Sequence, residues 1–124
     1  MKAVLIDVEK CKVKTVDIKD DLDTYYNLLN CSCIDIVCRK IGENWYDIIC
    51  DDEGLFKEEP IVSAFLDNEP HLVGNILVVG KADCRGNLTS LSDEQINEIT
   101  QNVLYYCAFS HDKMVVRYVL NLSL

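Results

Sequence analysis

The stretch from Gly74 to Val103, GNILVVGKADCRGNLTSLSDEQINEITQNV, constrains the fold most strongly. Residues 75–81 form an apolar run whose side chains fall on both faces of an extended chain, which favours a central strand covered on both sides. A polar turn at Gly86 and Asn87 follows, and the start of a helix comes after it. The stretch therefore predicts a domain that contains both a buried strand and a helix.

The helix start is signalled at Ser92. Ser92 and Gln95 have the spacing of a capping box, and Leu91 with Ile96 has the spacing of a hydrophobic staple. We expect this helix to cover residues 92–106. Its buried stripe is expected to consist of four apolar residues: Ile96, Ile99, Val103 and Leu104.

A second helix is predicted over residues 20–29, where apolar side chains recur at helical spacing and Asp20 and Asp21 supply the cap and first-turn charge. Asn30 is the expected end of this helix. Before and after it, short alternating runs joined by tight turns predict two strand pairs. These pairs are residues 2–8 with 11–18 and residues 31–39 with 45–50.

The rest of the chain is less regular. Residues 55–73 have no clear period, and the piece IVSAFL between Pro60 and Pro70 is expected to form a helical turn. Residues 113–122 alternate in polarity and predict a half-buried strand, with a continued helix as the alternative. Its apolar face is expected to hold five side chains: Met114, Val116, Tyr118, Leu120 and Leu122.

Together these elements predict the α+β class: a small, mostly antiparallel β-sheet with two main helices, about 20–29 and 92–106, packed on it. Residues 1–124 are expected to form a single domain with a strand-like extension at 113–122. Five apolar side chains on one face of that extension, beside a half-polar face, suit an edge strand covered by a second copy. The sequence thus predicts a possible homodimer through this strand.

Charge restricts the partners of this chain. It has 21 acidic and 12 basic residues and a net charge of −9, which argues against direct nucleic-acid binding and against anionic lipid. No apolar run reaches the roughly 20 residues that a membrane helix needs, so no membrane association is expected. The N-terminal residues MKAVLIDVEK favour a first strand over a signal peptide. We therefore predict a cytoplasmic protein.

Seven cysteines occur, most of them in apolar runs. We expect all seven to be reduced thiols and at least five to be largely buried. Cys31 and Cys33 form a C-x-C pair instead of the C-x-x-C of common zinc sites, so no metal and no cofactor are expected. Cys84 lies in a polar turn without a histidine nearby in sequence. No catalytic residue is therefore predicted, and the protein is not expected to be an enzyme.

The order of four pieces resembles one known family. The pieces are ICDDEG at 49–54, EEPIVSAFLDNE at 58–69, NILVVG at 75–80 and LSDEQI at 91–96. They look like a domain-of-unknown-function family that is common in phages and mobile elements of Gram-positive bacteria, over roughly residues 3–103. The resemblance implies an accessory protein that inhibits or modifies a host system, and it brings no catalytic residues.

Two groups of residues are the candidate partner-binding positions. One group is acidic and suits a basic protein partner, and the other combines aromatic side chains with an arginine, the residue types that anchor interfaces. They are Asp51, Asp52, Glu53, Glu58 and Glu59, and Tyr106, Phe109 and Arg117. The sequence thus predicts a non-enzymatic module that binds a host or element protein. The alternative is a small-molecule or nucleotide-binding domain with a pocket between sheet and helices.

Overall fold

The computed structural model describes residues 1–54 and 60–124. Over these residues the chain forms two helices and nine strands, which confirms the α+β class with a mostly antiparallel sheet. Their order is β1 (Lys2–Asp7), β2 (Lys12–Asp17), α1 (Leu22–Leu29), β3 (Ile34–Ile41), β4 (Asn44–Asp51), β5 (Val62–Leu66), β6 (Glu69–Val73), β7 (Ile76–Gly80), α2 (Asp93–Gln101), β8 (Val103–Ser110) and β9 (Lys113–Leu122).

The strands form two sheets instead of one. The first has the order β2-β1-β7-β4-β3 and is antiparallel throughout. The second has the order β6-β5-β9-β8, and β5 pairs with β9 in parallel. Strand β7 lies at the centre of the first sheet and is buried along its whole length, as its two-sided apolar pattern predicts. Neither described helix is long and apolar enough to span a membrane.

Alternation along the strands divides the core into two clusters. On one face of the first sheet, Ile6 and Val78 share the larger cluster with Ile99 of α2 and Leu120 of β9. On the opposite face, strand residues such as Leu77 share the smaller cluster with α1. The α1 members of that cluster are Tyr25 and Leu29.

Helix α1 begins and ends as its sequence predicts. The Asp21 side chain accepts a hydrogen bond from the Thr24 backbone N–H at 2.8 Å, which satisfies one of the free donors at the helix start. Asn30 adopts a left-handed conformation with φ of 51° and ends the helix. Asn75, which is buried, accepts a hydrogen bond from Val8 N–H and donates one to Leu28 C=O. This amide therefore joins the β1–β2 turn to the end of α1.

The end of the second helix is a correction to the prediction. Helix α2 has the predicted capping box, but it ends at Gln101, and residues 103–106 belong to β8. Leu104, expected in the buried stripe, is 50% exposed. The backbone from Val103 onward pairs with β9. Pairing with this distant strand therefore determines the structure here, although the helical spacing of apolar residues continues past Asn102.

The segment 61–66 is a second correction. It forms strand β5 instead of a helical turn, and it continues into β6 through a two-residue turn at Asp67 and Asn68. Both turn residues have positive φ, 53° and 63°, which is the type I′ geometry that matches strand twist. Pro70 lies on β6, an edge strand, where a missing N–H is tolerated.

The expectation of at least five buried cysteines is wrong. Of the seven cysteines, Cys50 alone is buried. Cys11 and Cys31 are half-buried, and the other four are exposed: Cys33, Cys38, Cys84 and Cys107. The apolar runs that hold them become turns or edge strands, whose outer faces the described core does not cover.

Strand β9 spans the predicted residues 113–122, but it is not an edge strand along its whole length. Residues 113–120 pair with β8 and residues 120–122 pair with β5, and in the second stretch Leu120 and Leu122 are buried. Nearer the β8–β9 turn the same face loses its cover, and Met114 is 68% exposed. The strand therefore anchors a hairpin whose far end lies outside the core.

Candidate functional site

The acidic turn after β4 is only partly available to a partner. Asp51 is buried, and its Oδ1 accepts a hydrogen bond from Glu53 N–H at 2.9 Å. The Asp52 N–H donates to Cys33 C=O, which fixes the turn against the chain before β3. Asp52 and Glu53 are exposed, and their contact with a basic partner stays a prediction. Glu58 and Glu59 lie outside the described residues.

Beside this turn lies a cavity of about 280 Å³ lined by Asp35, Cys50, Asp51 and His71, among others. Burial, followed by the charges of Asp35, Asp52 and Asp51, raises the pKa of the Cys50 thiol to about 11. The thiol is therefore protonated at neutral pH and is a poor nucleophile. Cys50 thus gives this cavity no activated thiol.

His71 is held neutral in the same region. Its Nε2 accepts a hydrogen bond from Arg39 Nε at 2.9 Å, so the ring nitrogen that faces the guanidinium carries no proton. Burial and the Arg39 charge both lower the pKa of His71. In residues 1–54 and 60–124, His, Cys, Asp and Glu side chains form no cluster of three that is arranged to hold a metal ion.

A second, polar cavity of about 580 Å³ lies beside α2. Its centre is Glu98, whose Oε1 accepts hydrogen bonds from Tyr46 Oη at 2.6 Å and Asn44 Nδ2 at 2.8 Å. Glu98 Oε2 accepts from Glu43 N–H at 3.3 Å. The hydrogen bond with Tyr46 is the main cause that lowers the pKa of Glu98. This carboxylate ties the β3–β4 turn to α2, so its evident role is structural.

The hairpin formed by β8 and β9, here called the arm, carries six of the ten large apolar side chains that are exposed among the described residues. On one side of it, Phe109 is 80% exposed and Tyr105 is 73% exposed. The strand register places these residues on a face with no charged side chain. We call this the apolar face of the arm, and it consists of Tyr105, Cys107, Phe109, Met114, Val116 and Tyr118.

The three predicted residues of the aromatic group do not form one patch. Tyr106 and Arg117 are direct cross-strand partners on the face opposite the apolar face. Arg117 Nη1 donates a hydrogen bond to Val8 C=O at 3.1 Å, which anchors the arm to the β1–β2 turn. Phe109 belongs to the apolar face instead. The prediction placed Tyr106 and Phe109 together at a helix end, whereas both lie on β8, and a strand sends side chains three positions apart to opposite sides.

A groove continues the apolar face towards the base of the arm. It has a volume of about 360 Å³ and lies between β2 and the arm, with Val13 and Lys14 on one side and Tyr105 and Tyr118 on the other. The two tyrosine rings are tilted at 52°, with centroids 6.4 Å apart. Most of the lining of this groove is apolar, so an apolar side chain fits it better than a charged group does.

Sequence reasoning missed most of the apolar face. It identified Phe109, but it placed Tyr105 in the helix predicted at 92–106 and Met114 on the apolar face of a half-buried strand. The signal that finds them is the two-residue period of residues 103–110, VLYYCAFS, followed by the turn His111–Asp112 and a second alternating run. That pattern is typical of a hairpin.

Fold and surface together define a small two-sheet α+β domain with an exposed apolar hairpin. The chain belongs to the DUF3846 family, a domain of unknown function, whose model matches residues 1–104. The match ends at the base of the arm, so all six residues of the apolar face lie beyond it. No curated protein and no solved structure matches the chain.

Proposed function

We propose that this protein is a non-enzymatic module that binds a protein partner through the apolar face of the arm. The observation that carries the proposal is the exposure of Tyr105 and Phe109 on a face without charge. An aromatic side chain offers about 150–250 Å², so these two rings together present roughly 300 Å² to solvent. Met114 and Val116 extend the patch. Apolar patches of this size on a small domain mark interaction sites.

The composition of the patch favours a protein as its partner. Tyr, Phe and Met are enriched at the centres of protein interfaces, whereas charged residues are depleted there. The arm is also held firmly enough to present these side chains, because Leu120 and Leu122 anchor its base in the core. Such preorganisation lowers the entropic cost of binding.

The setting we propose follows the family resemblance noted in the sequence. It is that of a cytoplasmic accessory protein of a phage or mobile element, which acts by covering a site on a host or element protein. The acidic surface outside the arm disfavours nucleic acid. The arm then supplies the apolar contact with the partner.

Site-specific photocrosslinking tests this proposal. A photoreactive phenylalanine analogue is placed at position 109, and a matched control carries it at Leu22 of α1, which is 55% exposed. In cells that express the protein natively, we expect position 109 to capture one discrete polypeptide that position 22 does not capture. Equal or absent crosslinking at both positions would refute the proposal.

The groove beside the arm supports a second candidate, a small-molecule or nucleotide binder. Its volume of about 360 Å³ falls at the lower end of the range for ligand pockets. Lys14 supplies a positive charge at its rim, and Tyr105 and Tyr118 supply rings for stacking. A thermal-shift series with nucleotides at millimolar concentration tests this candidate, and the variant Lys14→Ala should abolish any shift that depends on phosphate.

A further inference from the structure

The four edge strands of the two sheets differ in how they are protected. An unpaired edge invites pairing with another chain, and proteins prevent this with charge, proline or short strands. Strand β2 carries two lysines, β3 carries Arg39 and Lys40, and β6 carries Pro70. Strand β8, with the sequence VLYYCAFS, has eight residues and neither a charge nor a proline. Among the described strands it is thus the unprotected edge.

The turn at the tip of the arm determines which peptide groups of β8 are free. His111 and Asp112 have positive φ, 52° and 63°, and form a two-residue type I′ turn. The residues that flank such a turn form a hydrogen-bonded pair, and hydrogen-bonded pairs then recur at every second position. The peptide groups of Tyr105, Cys107 and Phe109 therefore point away from β9 and towards the open edge.

We propose that the partner of the arm is a second copy of this chain, paired antiparallel through β8 across a two-fold axis at Cys107. The inference rests on the proposed function and names the partner of the same surface. A two-fold axis perpendicular to the sheet requires opposite residues to share a face. Cys107 then lies opposite the partner's Cys107, and Phe109 lies opposite the partner's Tyr105.

This register brings complementary shapes together. Antiparallel pairing places the tip of each arm beside the base of the other arm. The exposed Phe109 at the tip thus meets the groove whose wall includes the partner's Tyr105 and the partner's Tyr118. The two-fold axis repeats this contact, so the Phe109 side chain of each copy lies in the groove of the other copy. Aromatic pairs across neighbouring strands are favourable contacts.

Charge permits the same arrangement. The chain as a whole has a net charge of −9, so two copies repel each other in most orientations. Residues 103–124 contain one acidic residue, Asp112, and two basic residues, Lys113 and Arg117, which gives this segment a net charge of +1. Two copies that meet through this segment therefore avoid the repulsion between their acidic surfaces.

Sedimentation equilibrium of the full chain is the first test. We expect a dimer, and we expect Phe109→Lys to raise the dimer dissociation constant about thirtyfold or more, the effect of removing an interface hot spot and adding a charge. Leu22→Lys makes the same kind of change on α1 and should leave the dissociation constant unaltered. A full chain that remains monomeric at about 100 μM overturns the proposal.

Thiol crosslinking tests the register. In a background with Cys33→Ser, Cys38→Ser and Cys84→Ser, Cys107 is the remaining exposed thiol. Diamide takes two electrons and two protons from the two Cys107 thiols, and a disulfide forms because cross-strand Cα atoms lie about 5.5 Å apart. We expect a covalent dimer that is lost on adding Cys107→Ser. A dimer that does not crosslink here overturns the register.

The two proposals fail in different ways. If photocrosslinking at position 109 captures another polypeptide and the isolated chain is monomeric, the arm is an interaction surface but its partner is not a second copy. If position 109 captures nothing and the chain is monomeric, both proposals fail. Capture of a species of twice the chain mass, with the loss of dimer in Phe109→Lys, supports both.

Discussion

Removal of the Glu98 carboxylate should weaken the attachment of α2 to the β3–β4 turn and lower the stability of the fold. Glu98 accepts hydrogen bonds from Tyr46 Oη, Asn44 Nδ2 and Glu43 N–H. A hydrogen bond to a charged group contributes about 1.5–3 kcal/mol when it is well shielded. Glu98 is half-buried and lines an open cavity, so water replaces part of the loss. We expect Glu98→Ala to lower the free energy of unfolding by about 1–2 kcal/mol.

Chemical denaturation with a double-mutant cycle measures this effect. Glu98→Ala, Tyr46→Phe and the double variant are unfolded in urea, and the coupling energy between the two sites is obtained from the cycle. Tyr46 is fully buried, and its hydroxyl gives the shortest of the three hydrogen bonds. The coupling should therefore be about 1 kcal/mol. Asn97→Ala, an exposed change in the same helix, is the control.

The pH dependence of this effect has a definite sign. The pKa of Glu98 is lowered from its ordinary value of 4.5, chiefly by the Tyr46 hydroxyl and then by Asn44. The stabilisation is therefore complete above pH 4.5 and is lost as the pH falls through the lower pKa of the folded state. A Glu98→Ala variant no less stable than Asn97→Ala at pH 7, or a difference that persists undiminished at pH 2, would refute the structural role.

Three further outcomes are expected. Ser92→Ala removes the cap of α2 and should lower the free energy of unfolding by about 1 kcal/mol, measured by urea denaturation; an unchanged midpoint would mean that the helix does not depend on this cap. Gly80→Ala should lower it by about 1–3 kcal/mol, because the new Cβ would clash with Thr89 Oγ1 and lie 2.9 Å from Thr89 O, and a variant as stable as the parent would contradict this contact. In thiol labelling without denaturant, the four exposed cysteines should react quickly, and Cys50, with a pKa of about 11, should react last; rapid labelling of Cys50 would contradict its burial.

Local signals in the sequence predict the starts of both helices and the position of the central strand. Asp21 and Ser92 accept hydrogen bonds from residues three positions along the chain, so the information lies within one turn of helix. The run at β7 is apolar on both sides, and burial on both sides follows from composition alone. These elements depend little on distant partners.

The missed elements depend on pairing between distant segments. Strand β5 pairs in parallel with β9, from Ala64 with Leu120 to Leu66 with Leu122, and no local pattern indicates that partner. The helical period that continues past Asn102 is overridden because β9 pairs with the chain from Val103 onward. A sequence pattern alone cannot decide between these two outcomes, because pairing energy belongs to both strands.

The residues of the candidate site were predicted only in part, because their arrangement also depends on pairing between distant segments. The aromatic residues before the His111–Asp112 turn were recognised as interface types, and Phe109 does lie on the exposed face. Tyr106 is the cross-strand partner of Arg117, but Phe109 lies on the opposite face, because a helix and a strand distribute the same residues differently around their axes. The acidic turn was identified correctly as a turn, but the burial of Asp51 depends on tertiary contacts.

The parallel pairing of β5 with β9 also sets an order of events during synthesis. The first sheet has all its strands once Gly80 has been made, but the second sheet lacks β9 until about forty residues later. At 5–20 residues per second the delay is roughly 2–8 s, long compared with hairpin formation. During that time the cluster on the face of Ile6, Ile48 and Val78 lacks Leu120 and Leu122, the residues that β9 supplies. The nascent chain thus exposes an apolar sheet, and this interval is when binding by a chaperone would prevent aggregation.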